Sequence, residues 1–102
     1  MNTLVKNKLV DLKHLCTKHR VSRLELFGSA VTGDFYPEHS DFDFIVEFQR
    51  EEGINPADQF FGLLEDLEEL LGRHIDLVEA GAMRNPYFIR RVNESRTLVY
   101  AA

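Results

Sequence analysis

Apolar residues recur every three or four positions along two long stretches of the chain, from Thr3 to Arg20 and from Pro56 to about Leu71. This spacing predicts two amphipathic helices, and the apolar side of the second is broad enough to pack on a sheet. Pro56 suits the first turn of a helix, and Gly72 is the expected end. A third, shorter helix is predicted to begin at Asn85-Pro86 and to run to about Asn93.

Apolar and polar residues alternate in the stretches between these helices. The alternation predicts three strands, and a short fourth strand is expected near the end of the sequence: Val21–Phe27, Asp41–Phe48, His74–Val78 and Thr97–Tyr100. Strands flanked by helices on this scale imply a two-layer α/β (α+β) sandwich, that is, a small mixed β-sheet with helices packed on it. We find no internal repeat or linker, so residues 1–102 are expected to form one domain.

The composition narrows the class of protein. Hydrophobic residues make up 44% and charged residues 28%, which is ordinary for a soluble globular domain. No stretch approaches the roughly 20 apolar residues that span a membrane. Cys16 is the only cysteine, which excludes an internal disulfide and fits a reducing cytoplasm. We interpret Cys16 as a small buried apolar residue on the first helix.

The net charge of −5 hides a strong segregation. Residues 1–23 carry six Lys/Arg against one Asp, residues 24–79 carry fifteen Asp/Glu against two Arg, and residues 80–102 carry four Arg against one Glu. The acidic middle disfavours direct nucleic-acid binding, because neutralising phosphates needs clustered lysine and arginine. It is compatible with binding divalent cations, which recruit phosphates. The basic ends are equally compatible with ordinary solvated helix faces.

Asp41 and Asp43 are the first candidates for chemistry. Residues two apart on a strand project from the same face, so these carboxylates stand side by side, with Phe42 and Phe44 anchoring the strand from the other face. Two close carboxylates repel each other unless a proton or a cation lies between them. A hard cation such as Mg²⁺ takes oxygen ligands and keeps positions open for phosphates. The alternative is a solvated strand start beside a turn.

Asp76 supplies a third carboxylate, between Ile75 and Leu77 on a short apolar strand. Burying an acid there is costly unless it is paired, protonated or bound to metal. If the two strands are neighbours, Asp76 can join Asp41 and Asp43 around one or two ions. Such a trio supports a two-metal displacement, with Asp76 as general base or as the ligand that orients the nucleophile. The alternative is an exposed acid on an edge strand.

Gly28 and Ser29 follow the first predicted strand. A glycine at this point lets a phosphate approach the backbone closely, and the following turn can aim free N–H groups outward. Ser29 adds a hydroxyl donor. Turn chemistry alone also explains the pair, and the P-loop pattern is absent.

The run Gly28-Ser29-Ala30-Val31-Thr32-Gly33, followed seven residues on by Ser40-Asp41-Phe42-Asp43, resembles the signature of the DNA polymerase β-like nucleotidyltransferase superfamily. The short length and Asp76 make the chain similar to the minimal nucleotidyltransferases. The segment from Asn85 to Tyr100 also resembles that group's usual ending. The resemblance therefore covers nearly the whole chain and implies the polymerase β-like nucleotidyltransferase fold.

The resemblance also implies roles for individual residues. Gly28 and Ser29 are expected to hold the triphosphate of ATP, and Ser40 to position the start of the strand. Asp41, Asp43 and Asp76 are expected to bind Mg²⁺ as the catalytic acidic triad. Thr32 departs from the family pattern, because members often carry an arginine at this position. Arg20, Arg23 or an arginine of a partner could supply the missing positive charge.

Minimal nucleotidyltransferases resemble antitoxins that are encoded with HEPN-domain toxins, which are helical ribonucleases. The resemblance implies transfer of AMP from ATP to a tyrosine hydroxyl of such a toxin. Two alternatives remain open at this point. Thr32 favours an antitoxin that neutralises its toxin by binding, with weak or absent catalysis. A third possibility is a nucleotidyltransferase whose acceptor is RNA or a small molecule.

Overall fold

A computed structural model of the chain describes residues 3–28 and 42–102. Within these residues the chain forms helices α1 to α4 and strands β1 to β4. The helices are α1 (Thr3–Asn7), α2 (Leu9–Lys18), α3 (Pro56–Leu71) and α4 (Pro86–Ser95). The strands are β1 (Val21–Phe27), β2 (Phe42–Phe48), β3 (Ile75–Glu79) and β4 (Thr97–Ala101), and a 3-10 turn (Ala80–Ala82) follows β3.

The strands form one mixed sheet in the order β3-β2-β1-β4. Strand β1 is antiparallel to β2 and to β4, while β3 runs parallel to β2. Phe27 pairs with Asp43 across β1 and β2, and Asp43 pairs with Asp76 across β2 and β3. Paired residues project from the same side of a sheet. These three side chains therefore form one row across three strands.

Helices α1 to α3 cover one side of the sheet, which we call the closed face. Its apolar core contains two aromatic residues of β2, Phe42 and Phe44, both without solvent exposure. Leu63 and Leu67 of α3 and Leu12 of α2 pack on it. Cys16 is buried in the same core, and burial raises the pKa of its thiol to about 12. The interpretation of Cys16 as an apolar core residue is confirmed.

Helix α4 lies on the other side of the sheet, which we call the open face. Val92 of α4 is fully buried against Phe27 and Ile45, in a cluster separate from the core of the closed face. Helices therefore contact both sides of the sheet, and the expectation of two layers was incomplete. The reason is that α4 is itself amphipathic, so its apolar side needs a surface that α2 and α3 do not occupy.

The helix boundaries follow local chemistry. The Asn55 side chain accepts hydrogen bonds from the amides of Ala57 and Asp58, and Gly72 ends α3 in the left-handed conformation. These are the start and end predicted for this helix. The first predicted helix instead divides at Lys8, whose amide donates to the Val5 carbonyl in a tight turn. The spacing of apolar residues continues through this turn, so the sequence pattern did not indicate it.

None of the helices in residues 3–28 and 42–102 could span a membrane.

Candidate active site

Two of the three predicted carboxylates stand side by side on the open face. Asp43 of β2 and Asp76 of β3 are direct partners in the parallel register. Their strands are neighbours, as the acidic-triad hypothesis requires. Asp41, Ser29 and Ser40 lie outside the described residues, as does Thr32. The structure therefore describes Gly28, Asp43 and Asp76 of the predicted site.

Asp76 differs from the expectation in one respect. Its side chain is 54% exposed, because β3 is an edge strand of the sheet, and the nearest basic atom among its described ion pairs is His74 Nδ1 at 3.9 Å from Oδ1. Asp76 is therefore not a buried acid, and the expected cost of burial does not apply to it. Its pairing with Asp43 is what places it at the site, and pairing of this kind depends on strand order, which the apolar neighbours of Asp76 do not reveal.

Gly28 follows the last residue of β1 and has a positive φ of 79°, in the region that favours glycine. A Cβ atom at this position would lie 2.7 Å from Oδ2 of Asp43. The absence of a side chain thus leaves room for the Asp43 carboxylate. The Gly28 amide donates to the Ser95 hydroxyl at 2.9 Å, so it is not one of the free N–H groups predicted for this turn. A role for Gly28 in holding phosphate remains a prediction.

The donor set fits a divalent cation. Asp43 and Asp76 present carboxylate oxygens from adjacent positions, and hard cations prefer such ligands. Among residues 3–28 and 42–102 no group of three metal-ligating side chains comes together. The third predicted ligand, Asp41, lies outside those residues.

A cleft of about 330 Å³ opens beside the two carboxylates. Its described lining combines β1, β2, β3 and α4: Phe27, Gly28, Asp43, Asp76, Leu77, Val78, Phe88 and Arg91. Phe27 and Phe88 meet edge to face, with ring centroids 5.8 Å apart, and form an apolar wall. The sequence interpretation did not place Phe88 or Arg91 at this site. Their spacing of three on a predicted helix was the available signal, because such residues share a helix face.

Charged contacts hold the end of α4 against β1. Glu25 is 3% exposed, and it accepts hydrogen bonds from Arg96 Nη2 at 2.6 Å and from Arg23 Nε at 3.0 Å. The pKa of Glu25 is lowered chiefly by the hydrogen bonds from Arg96. Burial alone would raise this pKa, and the hydrogen bond from Arg23 lowers it further. The same contact raises the pKa of Arg96. Together with the bond from Gly28 to Ser95, these contacts fix α4 over the open face.

The arginines proposed to replace the charge missing at Thr32 are engaged elsewhere. Arg23 is bound to Glu25, and Arg20 lies 3.5 Å from Glu51. Neither lines the cleft, whereas Arg91 does. Compensation by Arg20 or Arg23 therefore has no support in the structure.

Comparison with known sequences finds one family over most of the chain. The model of the nucleotidyltransferase domain matches residues 12–99. Two proteins of Methanocaldococcus jannaschii, both of which carry an assignment as protein adenylyltransferases, are each 35% identical to this chain over 103 residues. These matches cover 98% of this chain and 99% of each relative.

Solved structures agree with this result. One assigned as a minimal nucleotidyltransferase has a TM-score of 0.74 and 28% identity, and the match covers 95% of both chains. A toxin–antitoxin structure with AMP-PNP matches with a TM-score of 0.70 and 18% identity, over 92% of this chain and 73% of that one. A complex of an MNT antitoxin with a tri-AMPylated HEPN toxin of Shewanella oneidensis matches with a TM-score of 0.65 and 16% identity, over 96% of this chain and 73% of that one. At these identities the last two show a shared fold, and the expected fold is confirmed.

Proposed function

This chain belongs to the nucleotidyltransferase domain family, and we propose that it transfers AMP from ATP to a protein hydroxyl. We propose further that residues 1–102 act as one domain in the cytoplasm, and that the acceptor is a tyrosine of a HEPN-domain toxin. The chain would thus be the antitoxin of a toxin–antitoxin pair. The relatives assigned as protein adenylyltransferases and the fold shared with a complex that holds an AMPylated HEPN toxin support this proposal.

One observation carries the proposal: Asp43 and Asp76 are paired in register and line a cleft together with Gly28. We assign Asp41, Asp43 and Asp76 as ligands of Mg²⁺. Bound there, Mg²⁺ would offset part of the negative charge of the triphosphate and would stabilise the charge that develops on pyrophosphate. Gly28 and two serines outside the described residues, Ser29 and Ser40, are proposed to hold the nucleotide.

The transfer forms one bond and breaks another. The acceptor oxygen attacks the α-phosphorus of ATP, the bond from that phosphorus to the bridging oxygen of the β-phosphate breaks, and pyrophosphate leaves. We propose that a carboxylate oxygen of Asp76 takes the hydroxyl proton, because Asp76 lines the cleft and its side chain is 54% exposed. That same exposure gives a side chain of another protein access to the site.

The proposal is tested by incubating the chain with α-labelled ATP, Mg²⁺ and the HEPN-domain protein encoded beside it. We expect label on a tyrosine of that protein, located by mass spectrometry. Asp43→Asn should reduce transfer by about 100-fold or more, because a preorganised charge at the reacting centre is lost. The matched control is Asp11→Asn, since Asp11 is exposed on α2, away from the cleft. It should transfer AMP at the normal rate.

Two other outcomes identify the alternatives. If Asp43→Asn still binds the toxin and still protects cells from it, then the chain neutralises the toxin by binding alone, which is the hypothesis that Thr32 favours. If label enters RNA or a small alcohol and not the protein, then the acceptor is different. Absence of label in every fraction would contradict the proposal as a whole.

A further inference from the structure

We infer that Arg91 binds the phosphates of the nucleotide in this cleft and supplies the positive charge missing at Thr32. The inference rests on the proposed function and adds a nucleotide-binding residue that the sequence motif does not contain. Arg91 lies on α4, more than 45 residues beyond Asp43 in sequence, and only the fold brings the two together.

The helix holds Arg91 in a fixed place. Its neighbour Val92 is fully buried in the cluster on the open face, so α4 cannot turn about its axis without exposing that side chain. Asn85 caps the start of α4 by accepting from the amides of Tyr87 and Phe88. At its other end, the Ser95 hydroxyl accepts a hydrogen bond from the Gly28 amide. Arg96, which caps this end, donates to Glu25 of β1. The backbone of Arg91 is therefore anchored at both ends of a ten-residue helix.

The charges in the cleft call for a cation. Asp43 and Asp76 are the other ionisable side chains of the described lining, and both are acidic. A nucleoside triphosphate brings further negative charge to this place, and like charges at short range repel. Arg91 is the single basic residue in the described lining of the cleft. Arginine is suited to this task, because its planar guanidinium can bind a phosphate through two parallel hydrogen bonds.

Arg91 also differs from the other arginines of its segment. Arg84 donates to backbone carbonyls, Arg90 lies 3.6 Å from Glu94, and Arg96 is bound to Glu25. Arg91 makes no hydrogen bond or ion pair with any residue of the two described ranges. It is exposed toward the cleft and its donors are available for a ligand.

The adjacent arginine provides a matched control. Arg91→Gln and Arg90→Gln remove the same charge from consecutive positions of one helix, but Arg90 does not line the described cleft and is 81% exposed. Both variants should melt at temperatures close to that of the parent chain. Arg91→Lys keeps the charge and loses the planar pair of donors, so its affinity should lie between those of the parent chain and Arg91→Gln.

The measurement is a calorimetric titration with Mg²⁺ and α,β-methylene-ATP, whose α-phosphate cannot be transferred. We expect Arg91→Gln to raise the Kd by about tenfold or more, the scale of a lost charge-assisted hydrogen bond. Arg90→Gln should stay within about twofold of the parent chain. In the transfer assay, Arg91→Gln should raise KM for ATP more than it lowers kcat.

The outcomes distinguish failure of the inference from failure of the proposed function. If Arg91→Gln binds the analogue as the parent chain does, the inference is wrong. If, in that case, transfer to the toxin still falls, Arg91 contacts the acceptor protein and not the nucleotide. If the parent chain binds the analogue more tightly than Arg91→Gln but transfers AMP to nothing, the inference stands and the proposed function fails. If the parent chain binds no nucleotide, both fail.

Discussion

The two faces of the sheet are built from the same strands and differ in what they contain. On β2, Phe42, Phe44 and Val46 point into the closed face, where all three are fully buried. The alternate residues Asp43 and Ile45 point to the open face. Because side chains on a strand alternate with a period of two, a single seven-residue strand contributes both to the main core and to the candidate site. A shift of one residue in pairing would exchange the two roles.

The faces also differ in how their helices are held. The closed face binds α2 and α3 through a continuous apolar core. On the open face, the buried apolar cluster contains three of the described residues, Phe27, Ile45 and Val92, and polar contacts to Ser95 and Arg96 add to it. We conclude that apolar packing dominates the stability of the protein on one side, while directed polar contacts set the position of α4 on the other.

The largest effect on stability is expected on the closed face, from Phe44→Ala. Phe44 has no solvent exposure and lies at the centre of the closed face, so the change removes a large buried ring and leaves a cavity. We expect a loss of about 3–5 kcal/mol in the free energy of unfolding, measured by urea denaturation. That loss is a large part of the roughly 5–15 kcal/mol that stabilises a domain.

Val10→Ala is the control for Phe44→Ala. Val10 is apolar but 68% exposed on α2, and its truncation should change the free energy of unfolding by no more than about 0.5 kcal/mol. A loss below about 1 kcal/mol for Phe44→Ala would mean that the core can collapse around the cavity, and the closed face would then not dominate stability.

A smaller effect is expected on the open face from Glu25→Gln. The variant keeps the shape of the side chain and removes the charge that binds Arg23 and Arg96. We expect a loss of about 1–3 kcal/mol at pH 7, the scale of hydrogen bonds to charged groups. Arg23 and Arg96 are 44% and 36% exposed, and water around them places the value toward the lower end.

The effect of Glu25→Gln should depend on pH in a defined direction. The pKa of Glu25 is lowered in the folded protein, chiefly by hydrogen bonds from Arg96, so folding is favoured while the carboxylate is ionised. This contribution is complete above the ordinary glutamate pKa of about 4.3 and is lost as the pH falls through the lower folded value. The difference in melting temperature between the parent chain and the variant should therefore shrink below about pH 4. The pKa of Asp66 is also lowered, by hydrogen bonds from His19 and Lys18, but its effect is common to both proteins and cancels. A difference that grows on acidification would contradict the assignment.

The sequence predicted the elements of the fold well where a local signal marks them. Pro56 and Gly72 gave both ends of α3, and the alternation of β1 and β2 gave strands within one residue of those observed. The acids at positions 43 and 76 are predicted to share one site, and their strands do pair in register. For the helix and the strands the decisive residues lie close together in sequence, whereas the expectation for Asp76 depended on its strand being a neighbour of β2.

The missed features depend on contacts between distant segments. Arg91 reaches the cleft because α4 packs on the open face of the sheet. The spacing of apolar residues in 86–95 does not indicate on which side of the sheet this helix packs. Likewise, the amide of Gly28 is bound by Ser95, a residue 67 positions later. The exposure of Asp76 follows from the position of β3 at the edge of the sheet. Strand order and helix placement are global properties, so the sequence pattern around each residue could not give them.

The smallest effect that distinguishes the two faces should come from a pair of similar helix caps. Asn55 starts α3 on the closed face and Asn85 starts α4 on the open face, and each precedes a proline and accepts from two backbone amides. Asn55→Ala and Asn85→Ala should each cost about 1 kcal/mol in the free energy of unfolding, because each leaves the same amides unbound. Only Asn85→Ala should also weaken the binding of α,β-methylene-ATP, by about two- to threefold, since fraying at the start of α4 loosens Phe88 and, one turn later, Arg91. The contrary result would be equal nucleotide affinity in the two variants at equal loss of stability. It would show that the contacts of Val92, Ser95 and Arg96 hold α4 in place without its cap. The open face would then be as rigid as the closed face.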